Sequence, residues 1–418
     1  MPNLTCTPVA VTPSHLRERV RRLPGMELLL PALEGLPPAF LVGGAVRDLL
    51  RGAHGVDVDL AVEGDARSTA RALAERLVGT AREHERFGTA TVLVDGESFD
   101  LAATRRETYD RPGALPRVQE AALADDLRRR DFSVNAMAIG LTGDDLGHLY
   151  DHHGGLDDLE AGVIRVLHDA SFTDDPTRLL RALRYEARLG FEMEPDTERL
   201  ALAAIEDGAL RTVSGDRVGR ELLLLFAEPE SGAAVERLHG LGIDAALHPR
   251  LEADPELVAS ASLGAAAIGA DRALSALAAL CSSAPQELDL WLADLGLRAD
   301  ARDAVARAAR VAPRIAAELR ERDHAPSELG HLLRREPREA LALALAMRAP
   351  AEPILRWAGE LSGVALEIGG DDLVAAGVPQ GPALGRALEE TLARKLDGLV
   401  AGHDEELRTA LEIAGRAR

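Results

Sequence analysis

Lysine is almost absent from this chain of 418 residues: Lys395 is the one lysine, so nearly every cation is an arginine. That skew is compatible with genome composition and carries little functional weight. Aromatic residues make up only 3%, so a substantial core has to be built from Leu, Ala and Val. Two cysteines, Cys6 and Cys281, do not make a disulfide framework, and no Cys/His cluster has zinc spacing. No run approaches the ~18 apolar residues of a helical membrane span. The first residues lack the basic and apolar regions of a secretory signal. A cytoplasmic protein with no membrane partner is therefore expected. Positive charge is also in deficit, with a formal net charge of −21. Taken alone, that argues against a nucleic-acid binder, so any site for a polyanion would have to be a local cluster of arginines. No internal repeat or low-complexity linker interrupts the chain, and its length leaves room for two or more domains.

What is present is concentrated first between Phe40 and Glu63, FLVGGAVRDLLRGAHGVDVDLAVE. A short apolar run stops at Gly43 and Gly44, and AVRDLL then reads as the first turns of a helix. Glycines between a strand and a helix N-terminus let backbone N–H groups approach a phosphate, although the same pair also serves simple turns. Val56 to Leu60 then alternates apolar and acidic residues, a strand signature that puts Asp57 and Asp59 on one face. Two carboxylates so placed repel unless a cation sits between them. Phosphate loop and acidic pair in that order suggest nucleotide chemistry.

The flanking segments read as two short helices, from Ser14 to about Arg22 and from Pro24 to Leu33. A further helix over Ala66 to Thr80 is expected to cross back over a sheet. Thr89 to Val94 is a strand, Asp95-Gly96 a hairpin turn, and Ser98 to Ala103 the returning strand. Asp100, between Phe99 and Leu101, is either a third carboxylate for the Asp57/Asp59 site or an acid on a solvated edge. Thr104 to Arg117 is polar, contains Pro112, Gly113 and Pro116, and predicts a mobile loop. Arg128, Arg129 and Arg130 lie between Asp126 and Asp131, ahead of an apolar run, and mark the edge of a site. His152-His153 has no third ligand at suitable spacing and reads as structural or solvent-facing. From Asp174 onward the chain is almost entirely helical. Asp174-Asp175-Pro176 opens one helix, along which Arg178, Arg181 and Arg184 make a basic stripe. Ser214 is placed to cap Gly215 to Phe226. Residues 368–385, rich in Gly and Pro, either join two helices or present N–H groups to a nucleic-acid phosphate.

In order, these segments resemble the bacterial tRNA nucleotidyltransferase/poly(A) polymerase family, the class II CCA-adding enzymes. The resemblance covers residues 38–226 closely and the C-terminal glycine-rich segment more loosely. LVGGAVRDLLRG with DVD is similar to the first motif of that family and DDLRRRDFSVNAMA at 125–138 to the second. YDHHGGLDDLEAGVIR at 150–165, FTDDPTRLLRALRYEARL at 172–189 and SGDRVGREL at 214–222 follow as the third to fifth. The resemblance implies an α+β fold, with a nucleotidyltransferase head of mixed sheet and helices followed by an all-α neck, body and tail. The head would cover 1–150, the neck with a nucleobase-reading helix 151–230, and the tRNA-binding body and tail 231–418.

It also implies an activity: addition of C, A or both from CTP and ATP to the tRNA 3′ end, without a template, by two-metal phosphoryl transfer. Asp57 and Asp59, with Asp100, would hold Mg²⁺. Gly43, Gly44 and Arg47 would hold phosphates, with Asp48 bracing the loop, and Arg130, Asp131 and Asn135 would surround the sugar. Asp175 and Arg178, as neighbours on one helix face, would read the base, with Arg181 and Arg184 supporting them. A carboxylate accepts from the exocyclic amine of C or A, where U and G present a carbonyl. Two departures stand out: Asp174-Asp175 replaces the usual Glu-Asp, and 104–117 only partly matches the loop that governs the switch from C to A addition. Full CCA, CC-only and A-only addition remain alternatives, with CC-only least expected because the loop has some length. A poly(A) polymerase and a non-catalytic RNA-binding protein on the same scaffold are the others. Oligomeric state is not legible.

Overall fold

A computed structural model describes residues 11–53, 58–84 and 88–416. The chain divides into two compact units, one ending at Val213 and the other beginning at Ser214. The architecture is α+β, with the sheet confined to the first unit and helices making up the second.

The first unit contains strands β1 (Ala39–Val42), β2 (Val58–Val62), β3 (Thr80–His84), β4 (Thr89–Val94), β5 (Glu97–Ala103), β6 (Arg105–Thr108), β7 (Arg117–Glu120), β8 (Met137–Gly140) and β9 (Leu149–Asp151), besides a short parallel pair, Val163–Ile164 with Glu192–Met193. Among the described residues, seven of them form one mixed sheet in the order β3-β4-β5-β2-β1-β8-β9. Its pairs are antiparallel except β2 with β5, which run parallel with Asp59 opposite Asp100. The β4–β5 hairpin follows from its sequence. Asp95 (φ 49°) and Gly96 (φ 85°) both take the left-handed conformation, whose twist matches that of the strands it joins.

Alternation along the strands sorts side chains onto two faces. Leu41, Leu60, Phe99, Leu101 and Ile139 are buried on one face, with Leu73 of the helix Ala66–Leu77 against them. Burial of each such side chain stabilises by about 1.5–3 kcal/mol. Phe40, Val42, Ala61 and Ala138 lie on the other face, covered only in part by Leu123 and Leu127 of the helix Leu123–Arg128. By the same alternation Asp59 and Asp100 belong to this second face, and both are exposed there.

The structure departs from the expected loop at 104–117. Arg105–Thr108 and Arg117–Glu120 pair as an antiparallel hairpin, with Arg106 Nη2 donating to Gln119 Oε1 at 3.2 Å. The Thr104 hydroxyl closes its base by donating to the Ala121 carbonyl at 2.6 Å. Both strands are polar on both faces, so no period-two apolar pattern marks them. A second departure is the helix expected to open at Asp174-Asp175. It spans Thr177–Leu189, and Asp175 lies outside it with φ −133° and ψ 91°. Pro176 crowds the residue before it out of the helical region.

The second unit packs helices around Ala- and Leu-rich faces, including Leu277, Ala278, Ala308, Ile315 and Leu341. Ser214 stands at the N-cap of Gly215–Ala227 but makes no side-chain capping bond. The segment 368–385 contains the helix Gly370–Ala375 and the start of Pro382–Leu396. The lone lysine is structural: Lys395 Nζ donates at 2.5 Å to Glu406, a fully buried carboxylate that also accepts from the Glu367 N–H at 2.7 Å. Among the described residues, no helix is long and apolar enough to cross a membrane.

Candidate active site

β1 ends at Val42, and Gly43 turns the chain into the helix Gly44–Leu50. Gly43 has φ 65° and ψ −131°, and its N–H donates to the Met137 carbonyl at 3.2 Å. A Cβ at this position would stand 2.6 Å from Arg130 Nη1. Glycine is therefore required both for the dihedral and for the approach of the guanidinium. Gly43→Ala is expected to cost about 1–3 kcal/mol in urea unfolding and to weaken nucleotide binding by displacing Arg130. Unchanged affinity with intact stability would refute the role of this contact.

Leu41 pairs with Leu60, so Gly43 and Asp59 lie at the same end of the sheet. Asp59 and Asp100 are registered partners on adjacent strands, and the Thr91 hydroxyl donates to Asp100 Oδ1 at 2.6 Å. Thr91 is a supporting residue that sequence reading missed; its place opposite Asp100 is set by hairpin register. Asp57 lies outside the described residues. Among those described, no group of three or more His, Cys, Asp or Glu side chains is arranged to hold a metal. The donor set that the strands do bring together is all carboxylate, which fits a hard divalent cation.

Behind Gly43 runs a network of paired charges. Arg47, only 2% exposed, donates from Nε and Nη2 to Asp48 at 2.9 and 2.8 Å and from Nη1 to Asn135 Oδ1 at 2.6 Å. Burial works against its charge, but the Asp48 carboxylate outweighs that and raises its pKa. Arg47 is thus engaged with protein acceptors and does not line the cleft, unlike Gly43 and Gly44. Asn135 Nδ2 donates to Asp131 Oδ1 at 3.1 Å, and Arg181 donates to Asp131 Oδ2 from Nε at 3.0 Å and Nη2 at 2.6 Å. Burial pushes the Asp131 carboxyl up, but Arg181 and Asn135 prevail and hold it below the usual carboxylate range. Asp126 is shifted down in the same way: Arg130 and Arg129, at 2.9 and 2.8 Å, outweigh its burial.

Asp175 and Arg178 do not share a helix face, yet they line one cleft of about 310 Å³ with Gly43, Gly44 and Arg130. Asp175 Oδ1 accepts from the Thr177 N–H at 3.1 Å and its hydroxyl at 2.6 Å, so the carboxylate, one residue ahead of the N-cap Pro176, is tied to the first turn of the helix. Arg178 donates to Ser171 Oγ at 2.5 Å and to the Arg129 carbonyl at 2.8 Å, fixing its guanidinium at the cleft wall. Arg181 also lines the cleft, whereas Arg184 is buried behind it, with Cζ 5.1 Å from the Tyr185 ring centroid.

Arg129, Asp131 and Asn135 also line the cleft, as do Glu107, Tyr109 and Tyr185, which were not anticipated as site residues. Glu107 accepts from Arg129 at 3.1 Å and from the Tyr109 hydroxyl at 3.2 Å. Burial, with the Glu107 carboxylate close by, pushes the Tyr109 phenol up to about 12. A signal did exist for the tyrosines. The chain has three in all, and two of them face this cleft.

Residues 39–165 match the model of the poly(A) polymerase head domain, and 190–254 that of the probable RNA- and SrmB-binding site of polymerase A. The chain is 35% identical over 404 residues to the A-adding tRNA nucleotidyltransferase of Geobacter sulfurreducens, covering 91% of this chain. It spans only 46% of that relative's own length. It is 38% identical over 376 residues to the CC-adding tRNA nucleotidyltransferase of Deinococcus radiodurans, covering 89% of this chain and 88% of the relative. Among solved structures, the Thermotoga maritima CCA-adding enzyme complexed with tRNA is similar at a TM-score of 0.70 and 30% identity, over 97% of this chain and 95% of that one. With the head-domain match spanning the sheet and the cleft's glycine pair, and with a relative aligned along nearly its whole length, the chain belongs to the tRNA nucleotidyltransferase/poly(A) polymerase family.

Proposed function

We propose that this protein adds C, A or both from CTP and ATP to the 3′ end of tRNA, without a nucleic-acid template, and releases pyrophosphate. One observation carries the reading: Asp175 and Arg178 line the same cleft as Gly43, Gly44 and Arg130. A base-reading pair and a phosphate-receiving turn therefore face one nucleotide-sized space. Asp59 and Asp100, with Asp57, would hold divalent metal, read as Mg²⁺. When bound, that metal lowers the pKa of an attacking 3′-hydroxyl and offsets the charge of the triphosphate.

The chain's own groups do the rest. Arg130 and the Gly43–Gly44 turn receive phosphate oxygens, and Asp131 and Asn135 stand at the sugar. Arg47 supports Asn135 and Asp48 rather than meeting phosphate itself, because its donors are committed to them. Asp175 accepts from the amine of C or A, and Arg178 donates to the adjacent ring acceptors. The head is assigned to 1–150, the neck to 151–230 and a tRNA-binding body and tail to 231–418, acting in the cytoplasm. Exposed arginines at Arg188, Arg211 and Arg220 would meet tRNA phosphates despite the net charge of −21, whereas Arg178 and Arg184 of the basic stripe are buried.

The test supplies one nucleotide at a time to tRNAs lacking the terminal A, the terminal CA or the whole CCA. Incorporation of C, A or both assigns the activity. No incorporation on any of them sinks the reading, and long A tails on unrelated RNA would favour a poly(A) polymerase.

Asp175→Ala should lower the preference for CTP and ATP over UTP and GTP by roughly 10- to 100-fold, the discrimination carried by one good polar contact to a base. Loss of the bonds to Thr177 should lower stability by only about 1 kcal/mol. An unchanged ratio of single-nucleotide kcat/KM values would refute the base-reading role.

A further inference from the structure

We propose that Tyr185 is a positioning residue for nucleotide transfer. Its ring holds Arg47, Arg181 and Arg184 in one arrangement and so ties the Gly43–Gly44 turn to the helix that carries Arg178. The inference rests on the transferase reading above. The guanidinium carbons of Arg47, Arg181 and Arg184 lie 5.3, 5.7 and 5.1 Å from the centroid of the Tyr185 ring. All three fall within the ~6 Å over which the negative face of an aromatic ring attracts a cation. Asp48 and Asp131 offset the charges of Arg47 and Arg181, and the ring adds attraction to all three guanidiniums without adding charge.

Tyr185 is itself held. Its side chain is nearly buried, and it forms a T-shaped pair with Phe132, ring centroids 5.8 Å apart and planes at 83°. The ring also closes a circuit. Arg47 bonds Asn135, Asn135 bonds Asp131, Asp131 bonds Arg181, and both arginines at the ends contact Tyr185. The Arg47 end of that circuit lies on the helix that Gly43 opens. The other end lies on the helix Thr177–Leu189, where Arg178, Arg181 and Tyr185 follow at spacings of three and four and share a face. Asp131 directly follows Arg130, the guanidinium that approaches Gly43. A change at the ring therefore alters how the phosphate-receiving turn and the base-reading pair are set against each other. The hydroxyl adds contacts of its own, to Arg47 and, at 3.5 Å, to Arg181 Nη2, and the phenylalanine reference below removes both.

The experiment replaces Tyr185 with phenylalanine as the reference, then with mono-, di- and trifluorophenylalanine. These keep the shape of the ring while draining its negative face. Single-nucleotide addition to tRNA is measured along the series, with melting temperature checking that each variant is folded. From phenylalanine to trifluorophenylalanine, kcat should fall roughly tenfold while KM for the nucleotide changes less than about threefold. The preference for ATP over UTP should fall in parallel. A flat kcat along the series, or a loss confined to KM, would overturn the proposal. If the unaltered protein adds nothing to tRNA, the transferase reading fails, and the ratio of ATP to UTP affinity by equilibrium dialysis decides the role of Tyr185. A ratio that falls with fluorination supports the positioning role, and a constant ratio overturns it.

Discussion

Asp59→Ala is expected to lower nucleotide addition by roughly three orders of magnitude while leaving the fold intact. The two halves of that expectation have separate causes. Asp59 is exposed on the less covered face of the sheet, and the buried neighbours Val58 and Leu60 that anchor β2 point the other way. Removing its carboxylate therefore opens no cavity, and the unfolding free energy should move by no more than about 0.5 kcal/mol. The chemistry depends on it much more. Losing one preorganised charge-stabilising group typically costs 10²–10³ in kcat, and a carboxylate that also holds a cation belongs at the upper end of that range. Asp100 is its registered partner, braced by the Thr91 hydroxyl, so Asp100→Ala should show a loss of the same kind. Single-turnover addition measured across a divalent-cation titration tests this, because the variants should need more cation as well as react more slowly. Activity within tenfold of the unaltered protein at every cation concentration would remove Asp59 from the mechanism.

Asp131→Ala should destabilise the first unit by about 1.5–3 kcal/mol, the cost of removing charged hydrogen bonds from a part-buried pair in which Arg181 keeps 28% exposure. Its carboxylate accepts from Arg181, from Asn135 and from the Phe132 N–H at 2.9 Å, and all three would lose that acceptor. Asp131→Asn separates charge from shape, since it keeps an oxygen for Asn135 and the Phe132 N–H but loses the charge facing Arg181. The folded-state pKa of Asp131 lies below the unfolded value of about 3.9. A carboxylate shifted in that direction contributes stability that is present above the unfolded pKa and is lost as pH falls through the folded one. The stability gap between the unaltered protein and Asp131→Asn should therefore be full at pH 7 and narrow below about pH 4. Asp126, also shifted down, titrates in both proteins and drops out of the difference. Urea unfolding of the pair across that range measures the gap, and a pH-independent gap would mean that the charge of Asp131 contributes nothing to folding.

Legibility of the molecule in its sequence followed the range over which each force acts. The β4–β5 hairpin was legible because Asp95-Gly96 takes its turn for local steric reasons, with apolar alternation on either side. The helix Ala66–Leu77 was legible from its apolar stripe. The hairpin Arg105–Thr108/Arg117–Glu120 was not, because its polar strands are held by pairs such as Arg106–Gln119, which local periodicity does not register. Pro176 was correctly placed near a helix start, but its effect on the preceding residue put Asp175 outside the helix.

The same division runs through the site. The chain's order of motifs alone was enough to propose which residues take part: the glycine pair, the acids at Asp57, Asp59 and Asp100, and the pair Asp175 and Arg178. What tertiary structure decided is which partner each of them meets. Arg47 reads in the sequence as a cation beside a phosphate loop, yet folding places Asp48, Asn135 and Tyr185 against it, the contacts from which its supporting role is proposed. Asp59 and Asp100 are 41 positions apart along the chain and become opposite residues only because β2 and β5 pair in parallel. Glu107 and Tyr109 join the cleft through a hairpin, and Tyr185 gathers three arginines around its ring. Residue type is a property of one position, whereas charge pairing and cation–π contact depend on distances of a few ångströms between positions far apart in sequence, and only the packed chain sets those distances.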